Sequence, residues 1–358
     1  MDINLKKINI LNLDEKKLKE IIESIGEKKF RFKQIMKWIY HNFCDNFDNM
    51  SNISINLKKK LKKKLEIKLP VIQNILYSKD GTIKYILNFN KQIIETIYIP
   101  EINRKTICIS SQVGCILNCK FCATGKQGFK RNLKVSEIIG QIWCISKMLY
   151  NINPKKKITN IVIMGMGEPL LNVVNVINSI KIMLNNYCLN IKKNKITLST
   201  SGIIPAFKKI YEIINIPLAF SLHASNNELR NSLMPINIKY NIESCLSEIN
   251  KYIKLSKSNK IKFTIEYIML NNINDNIYNA YQLIKLLKNI PSKINLIPFN
   301  KIPNTKYESS PKNKIYKFAQ ILKKNGLITT IRKLHGNDIN AACGQLSGNI
   351  INKIKNNI

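Results

Sequence analysis

From about residue 105 to about residue 335 the chain alternates short apolar runs with longer amphipathic ones, and no other feature restricts its fold as much. KTICISS, ITNIVIMGMGEP, KITLSTSG, IPLAFSLHA, KFTIEYIML and SKINLIPFN read as strands. VSEIIGQIWCISKMLY and LLNVVNVINSIKIML repeat their apolar residues at helical spacing. Such alternation builds a parallel sheet or a barrel, because each crossover helix returns the chain to the sheet in the same direction. The expected class is α/β, a partial barrel of about six βα units over residues 105–340. Functional residues then belong at the C-terminal ends of the strands.

Two segments precede this region. Residues 1–70 read as a helical accessory domain, with Ile35, Trp38 and Ile39, and then Leu57, Leu61 and Leu65, at helical spacing. Residues 71–104 change period and read as a short β-rich linker with a hairpin turn at Asp80-Gly81. A C-terminal segment, 341–358, follows the barrel and carries Cys343, and its tail INKIKNNI is expected to fray.

The segment Cys115-Ile-Leu-Asn-Cys119-Lys-Phe-Cys122 places three thiols within eight residues. Soft sulfur ligands in such a cluster suit iron–sulfur centres or zinc. A closed four-ligand site needs one more donor, so three local cysteines leave a coordination position open for chemistry. A zinc site completed by Cys108 or Cys343 is the alternative at this point. Nine cysteines, an odd number in a large chain, argue against a secreted disulfide framework.

Polar residues gather at the strand ends. Gly167 permits close backbone approach and Glu168 can accept a hydrogen bond from an amine. Ser199, the run Ser221-Leu222-His223, and Asn300 also sit at strand ends, where their polar groups could meet a ligand, although each taken singly also suits a cap or turn.

Several stretches together resemble one family: SSQVGC, CATGKQGFKRNLKVSEIIGQ, MGMGEPLLN, LSTSGIIP, FSLHA, LMPIN, NLIPFN and DINAACGQLSG. They are similar to the bacterial dual-specificity RNA adenine-2 methyltransferases, the RlmN/Cfr family of the radical S-adenosylmethionine superfamily. The resemblance covers essentially the whole chain. It implies a radical-SAM barrel with one 4Fe-4S cluster on Cys115, Cys119 and Cys122. It implies S-adenosylmethionine as cofactor, two per turnover, with Gly167, Glu168, Ser199, Ser221, Leu222, His223 and Asn300 around it. It implies methylation of carbon 2 of an adenine in 23S rRNA and of adenine 37 in certain tRNAs.

The resemblance also assigns roles. Cys343 takes a methyl group from S-adenosylmethionine as a thiolate. A 5′-deoxyadenosyl radical removes hydrogen from that methyl, and the carbon radical adds to adenine. Glu95 matches the proton acceptor, and Cys108 matches the thiol that attacks the Cys343 sulfur to release product. Read from residues alone, Cys108 also suits a strand core and Glu95 an outward-facing carboxylate. The chain departs from the family pattern at His335, where Arg is common, and at Asn337 and Asn340, where Asp is common.

The formal charge of +36, from 58 basic and 22 acidic residues, fits a polyanionic partner. A chain rich in Lys, Asn and Ile also fits drift in an AT-rich genome. Lys28, Lys29, Arg31, Lys33 and Lys37, interleaved with Phe30, Phe32 and Trp38, are candidates for RNA contact, as are Lys130 and Arg131. 23S rRNA, tRNA and an electron donor such as flavodoxin or ferredoxin are the expected partners of a monomer. No apolar run spans a bilayer and the N-terminus lacks a secretory signal, so a cytoplasmic location without membrane contact is expected. A carbon-8 adenine methyltransferase, a zinc-stabilised RNA-binding protein and an electron-transfer protein are the competing readings.

Overall fold

The computed structural model describes residues 7–255 and 263–347; the tail INKIKNNI lies outside them. The chain opens with three helices, α1 (Glu15–Ser24), α2 (Arg31–Tyr40) and α3 (Ile55–Lys64). The first and third are started by side-chain caps. Asp14 accepts from the Lys17 N–H and Ser54 from the Leu57 N–H, each satisfying a backbone donor that the first turn leaves orphaned. In α3 the periodic Leu57 and Leu61 are fully buried, which turns the intervening lysines outward. Phe32, Ile35, Met36 and Ile39 do the same for α2. Trp38 is half-buried and donates its indole N–H to Asn52.

Residues 71–104 form three antiparallel strands, Val71–Tyr77, Ile83–Phe89 and Gln92–Pro100. They do not stand apart from the barrel. The third pairs antiparallel with Lys105–Cys108, Ile97 lying opposite Cys108, so these strands extend one edge of a ten-stranded sheet.

From Lys105–Cys108 the sheet continues through Asn160–Ile163, Ile196–Thr200, Leu218–Ser221, Thr264–Met269, Lys293–Pro298 and Ile328–Ile331, all parallel and in chain order. After the short α4 (Ala123–Lys126), the crossovers are made by α5 (Val135–Ile152), α6 (Val173–Leu184), α7 (Ile204–Ile213), α8 (Asn227–Leu233) with α9 (Ile242–Leu255), α10 (Ile277–Leu287) and α11 (Lys312–Lys324). Six βα units therefore close on a final strand, and the two ends of the sheet stay unjoined. This is a partial barrel. Asn160–Ile163 is buried throughout, as strands covered on both faces must be.

The helical unit docks on the outside of the barrel. Trp143 of α5 donates to the carbonyl of Ile39, and the Phe32 ring meets Tyr187 edge-on. One apolar core runs from these helices into the sheet, and a second, smaller cluster (Phe121, Leu233, Met234, Ile268, Phe299) lies at the mouth. Among the described residues no helix is long and apolar enough to cross a membrane.

Candidate active site

Past Cys108 the chain forms a narrow ribbon, Gln112–Gly114 against Phe129–Asn132, and the loop between its strands carries the three clustered cysteines. Gly114 has φ +75°, and a Cβ there would sit 1.8 Å from the carbonyl oxygen of Gly128, so the neck of the loop closes only without a side chain. The Lys120 N–H bonds the carbonyl of Leu233, and Cys115 N–H that of Gly128.

Burial pushes the Cys115 thiol up to about 12, and it raises Cys119 and Cys122 as well. Cys119 is raised further by the other two thiols and lowered by Arg230. Such thiols hold their protons until a bound cation displaces them. Among the described residues no three His, Cys, Asp or Glu side chains gather closely enough to share one metal ion. A four-iron cluster makes no such demand, because each thiolate binds a different iron.

Above the loop, strand ends line a cavity. Its wall includes Cys108, Cys122, Gly167, Glu168, Ser199, Ser221, His223, Asn300, Arg332 and Cys343. Gly167 has φ +95°, and a Cβ would come within 2.4 Å of the Gln112 Cβ, so this turn packs directly on the ribbon. Glu168 is buried and already engaged. It accepts from the Leu170 N–H (3.0 Å), the Thr200 hydroxyl (2.7 Å) and the Ser201 N–H (2.8 Å). Burial still raises its pKa, with these donors opposing.

Ser199 and Ser221 face each other, their hydroxyls 3.4 Å apart. His223 has φ +58° and accepts the Ile268 N–H at Nδ1, leaving Nε2 as the N–H donor. Burial lowers its pKa to about 3, with Arg230 adding, so the ring is neutral. Asn300 is buried, and its Oδ1 has no hydrogen-bond partner among the described residues. A buried acceptor in that condition is costly unless a ligand donor meets it. The cavity therefore fits a polar cofactor. Leu222 stands elsewhere: it is fully buried in the core, and its N–H bonds the carbonyls of Phe220 and Glu266.

The last barrel strand delivers Arg332 and then the loop that carries Cys343. All nine thiols are free, and Cys108 and Cys343 share the cavity wall. Burial pushes Cys108 up to about 12; the Cys343 thiol adds to this and the Arg332 guanidinium opposes it. Arg332 in turn is raised chiefly by Cys343, against burial, with Glu266 at 3.6 Å adding.

The loop is gripped on both sides of the cysteine. On one side Asp80 accepts the Gly336 N–H (3.0 Å), Asp338 accepts from the Ser78 hydroxyl (2.6 Å), and Lys84 donates to the carbonyl of Asn340 (3.1 Å). On the other, Ala123 N–H bonds the carbonyl of Gly344 (2.7 Å) and the Thr124 hydroxyl that of Leu346 (2.6 Å). Glu95 is buried beside Lys84, on the strand face of Ile97 and Ile99, which do line the cavity.

Three buried or half-buried cations here were not picked out from the sequence: Lys84, Arg230 and Arg332. Arg230 is fully buried and donates to the carbonyls of Ser201, Ser221 and Leu222, tying two neighbouring strand ends together. Its position in the first turn of an N-capped helix, three residues after Asn227, gives no hint of this. Of the candidate RNA contacts, Lys28, Lys29, Lys33, Lys37 and Lys130 are exposed. Arg131 is committed inward: it forms a bidentate pair with Glu137 (2.6 and 2.8 Å) and also bonds Gln92.

Comparison with known proteins agrees with this geometry. Residues 8–67 match the model of the ribosomal RNA large subunit methyltransferase N-terminal domain, and residues 109–284 that of the radical SAM superfamily. The chain is 57% identical over 356 residues to a dual-specificity RNA methyltransferase RlmN of Wigglesworthia glossinidia brevipalpis, covering 99% of this chain and 93% of that one. It is 54% identical over 354 residues to the protein of that name from Buchnera aphidicola subsp. Baizongia pistaciae, covering 98% and 95%. Among solved structures, a radical SAM methyltransferase from Sphaerobacter thermophilus superposes with a TM-score of 0.89 at 33% identity, covering 95% of this chain and 99% of that one.

Proposed function

The chain belongs to the RlmN family of radical SAM RNA methyltransferases, and we propose that it methylates carbon 2 of adenine in 23S rRNA and at position 37 of certain tRNAs. Carbon 2 lies between two ring nitrogens and has no lone pair, so it cannot displace a methyl group as an ordinary nucleophile does. One observation carries the reading: Cys108 and Cys343, free thiols from opposite ends of the barrel sequence, share a cavity wall with Cys122.

Cys115, Cys119 and Cys122 would hold a 4Fe-4S cluster, and the strand ends at Gly167, Ser199, Ser221, His223 and Asn300 would hold S-adenosylmethionine. Together these groups supply, when bound and reduced by a flavodoxin- or ferredoxin-type donor, a carbon-centred radical able to remove hydrogen from a methyl group. Two molecules of S-adenosylmethionine serve each turnover, one of them as methyl donor. Cys343 carries the methyl group to the adenine. The odd electron of the adduct would return to the centre that supplied it as Glu95 takes up the proton from carbon 2. Cys108, as a thiolate, then attacks the Cys343 sulfur; the sulfur–carbon bond breaks with its electron pair on the carbon, that carbon takes a proton to become the methyl group, and a disulfide remains. Glu168, with both carboxylate oxygens bonded, acts first as the strut that sets the turn and second as acceptor for the cofactor's amine.

The exposed lysines of the helical unit meet RNA phosphate, which offsets part of the few kcal/mol needed to extrude a base. A monomer acting in the cytoplasm fits this role.

The test is anaerobic. The protein is reconstituted with iron and sulfide, then given S-adenosylmethionine, reductant and an RNA fragment, and the digested nucleosides are identified by mass spectrometry. 2-Methyladenosine, absent with Cys343→Ala, is the expected result. 8-Methyladenosine would assign the chain the carbon-8 reaction instead, and no modified adenosine from a cluster-loaded, cofactor-cleaving preparation would overturn the substrate.

A further inference from the structure

Lys84 sits in the middle antiparallel strand, opposite Ile97, on the face that carries Glu95. Its side chain is 2% exposed and that of Glu95 1%, with Nζ 3.8 Å from Glu95 Oε2. Burial drives the Lys84 pKa down and Glu95 draws it back up. A buried ion pair is poor evidence of stabilisation, since apolar residues of similar volume often do as well. The third group on this cation is more telling. Lys84 Nζ donates to the carbonyl of Asn340, a left-handed residue (φ 51°) three positions before Cys343.

The loop here has little regular structure of its own, one turn at Asn337–Ile339 and another closed by the Gln345 N–H on the carbonyl of Ala342, so contacts of this kind fix where Cys343 stands. We propose that Lys84 is a positioning residue: one buried ammonium ties the carboxylate of Glu95 and the backbone before Cys343 to a fixed separation. This rests on the reading that Cys343 delivers carbon to the adenine and Glu95 takes the proton from the same ring atom. Two groups that act on one atom must keep their spacing, and a misplacement of about 1 Å is enough to cost on the order of a hundredfold in rate.

The experiment compares cluster-reconstituted wild type, Lys84→Met, Lys84→Arg and the double variant Lys84→Met/Glu95→Gln. Two quantities are read: 2-methyladenosine formed per 5′-deoxyadenosine released, and the rate at which iodoacetamide alkylates the Cys343 peptide. In Lys84→Met the ratio should fall by about tenfold or more while cofactor cleavage persists, and alkylation should quicken. Lys84→Arg, which keeps the charge, should recover much of both. A ratio within about twofold of wild type, or unchanged alkylation, overturns the proposal.

Where Lys84→Met fails to fold because a cation beside a buried carboxylate is removed, the double variant removes both charges, and its Cys343 must still react faster than in wild type. Alkylation at the wild-type rate there overturns the proposal. A wild type that makes no 2-methyladenosine defeats the functional reading instead, while the alkylation rates still decide whether Lys84 holds the loop.

Discussion

The cluster loop and the Cys343 loop meet at one cavity but are held in opposite ways. The first is local: its three cysteines lie within eight residues, and a glycine-pinched ribbon closes it. The second has almost no structure of its own. It is fixed by Asp80 in the hairpin turn and Lys84 on the strand that follows, and by Ala123 and Thr124 beside the clustered cysteines. The three-cysteine motif is therefore held largely by its own segment, whereas the position of Cys343 depends on distant parts of the chain keeping their places.

The sharpest way to break this contrast is to remove one cysteine from each loop. Cys119→Ser should lose iron and sulfide, and with them both cofactor cleavage and methylation, each by about a thousandfold or more. Cys343→Ala should abolish methylation to a similar extent yet keep its iron and its cofactor cleavage, measured as 5′-deoxyadenosine. Loss of iron in Cys343→Ala would mean that the two loops are one unit.

Next in size is Cys108→Ala. Cofactor cleavage should continue, while turnover falls by about a hundredfold and RNA stays covalently attached to protein on a denaturing gel. Thr124→Val has a smaller effect. It strands the buried carbonyl of Leu346, which should cost about 1–3 kcal/mol in denaturant unfolding and speed alkylation of Cys343 while iron content holds. The smallest effect separates two adjacent basic residues. Lys130→Gln should lower the slope of log affinity for RNA against log salt by about 0.7 to 0.9. Arg131→Gln should leave that slope alone and instead cost about 1–2 kcal/mol of stability, because its guanidinium serves Glu137 rather than phosphate.

The same contrast governs what could be read from the sequence. The βα alternation and the clustering of the three cysteines were legible, because periodicity and spacing are local properties of the chain. Ser199, Ser221, His223 and Asn300 were legible by position, since strand ends of a parallel sheet converge on one face. Leu222 was carried along by the motif around it, but strand alternation turns its side chain into the core. Cys108 and Glu95 stood out only through the family resemblance, because a buried strand looks the same whether its polar residue works or merely packs. Lys84, Arg230 and Arg332 looked like ordinary members of a very basic chain. Each is defined by what lies across from it, and for Lys84 that is a carbonyl 256 residues away. Arg131 shows the converse: placed after the cluster loop it suggested phosphate, and a carboxylate six residues on had already claimed it.

The grip of residues 78–84 on residues 336–340 also sets an order of assembly. Synthesis runs from the N-terminus, and domains tend to fold as they emerge. The hairpin, the Glu95 strand, Cys108 and the cluster loop are all made before the last barrel strand, and Cys343 comes after that strand. The pocket is thus completed by the part of the chain synthesised late, so a nascent protein can gather Cys115, Cys119 and Cys122 before Cys343 has been made. Docking of that final loop is a long-range closure, slow by its sequence separation. It makes catalytic competence a late event in the life of each molecule.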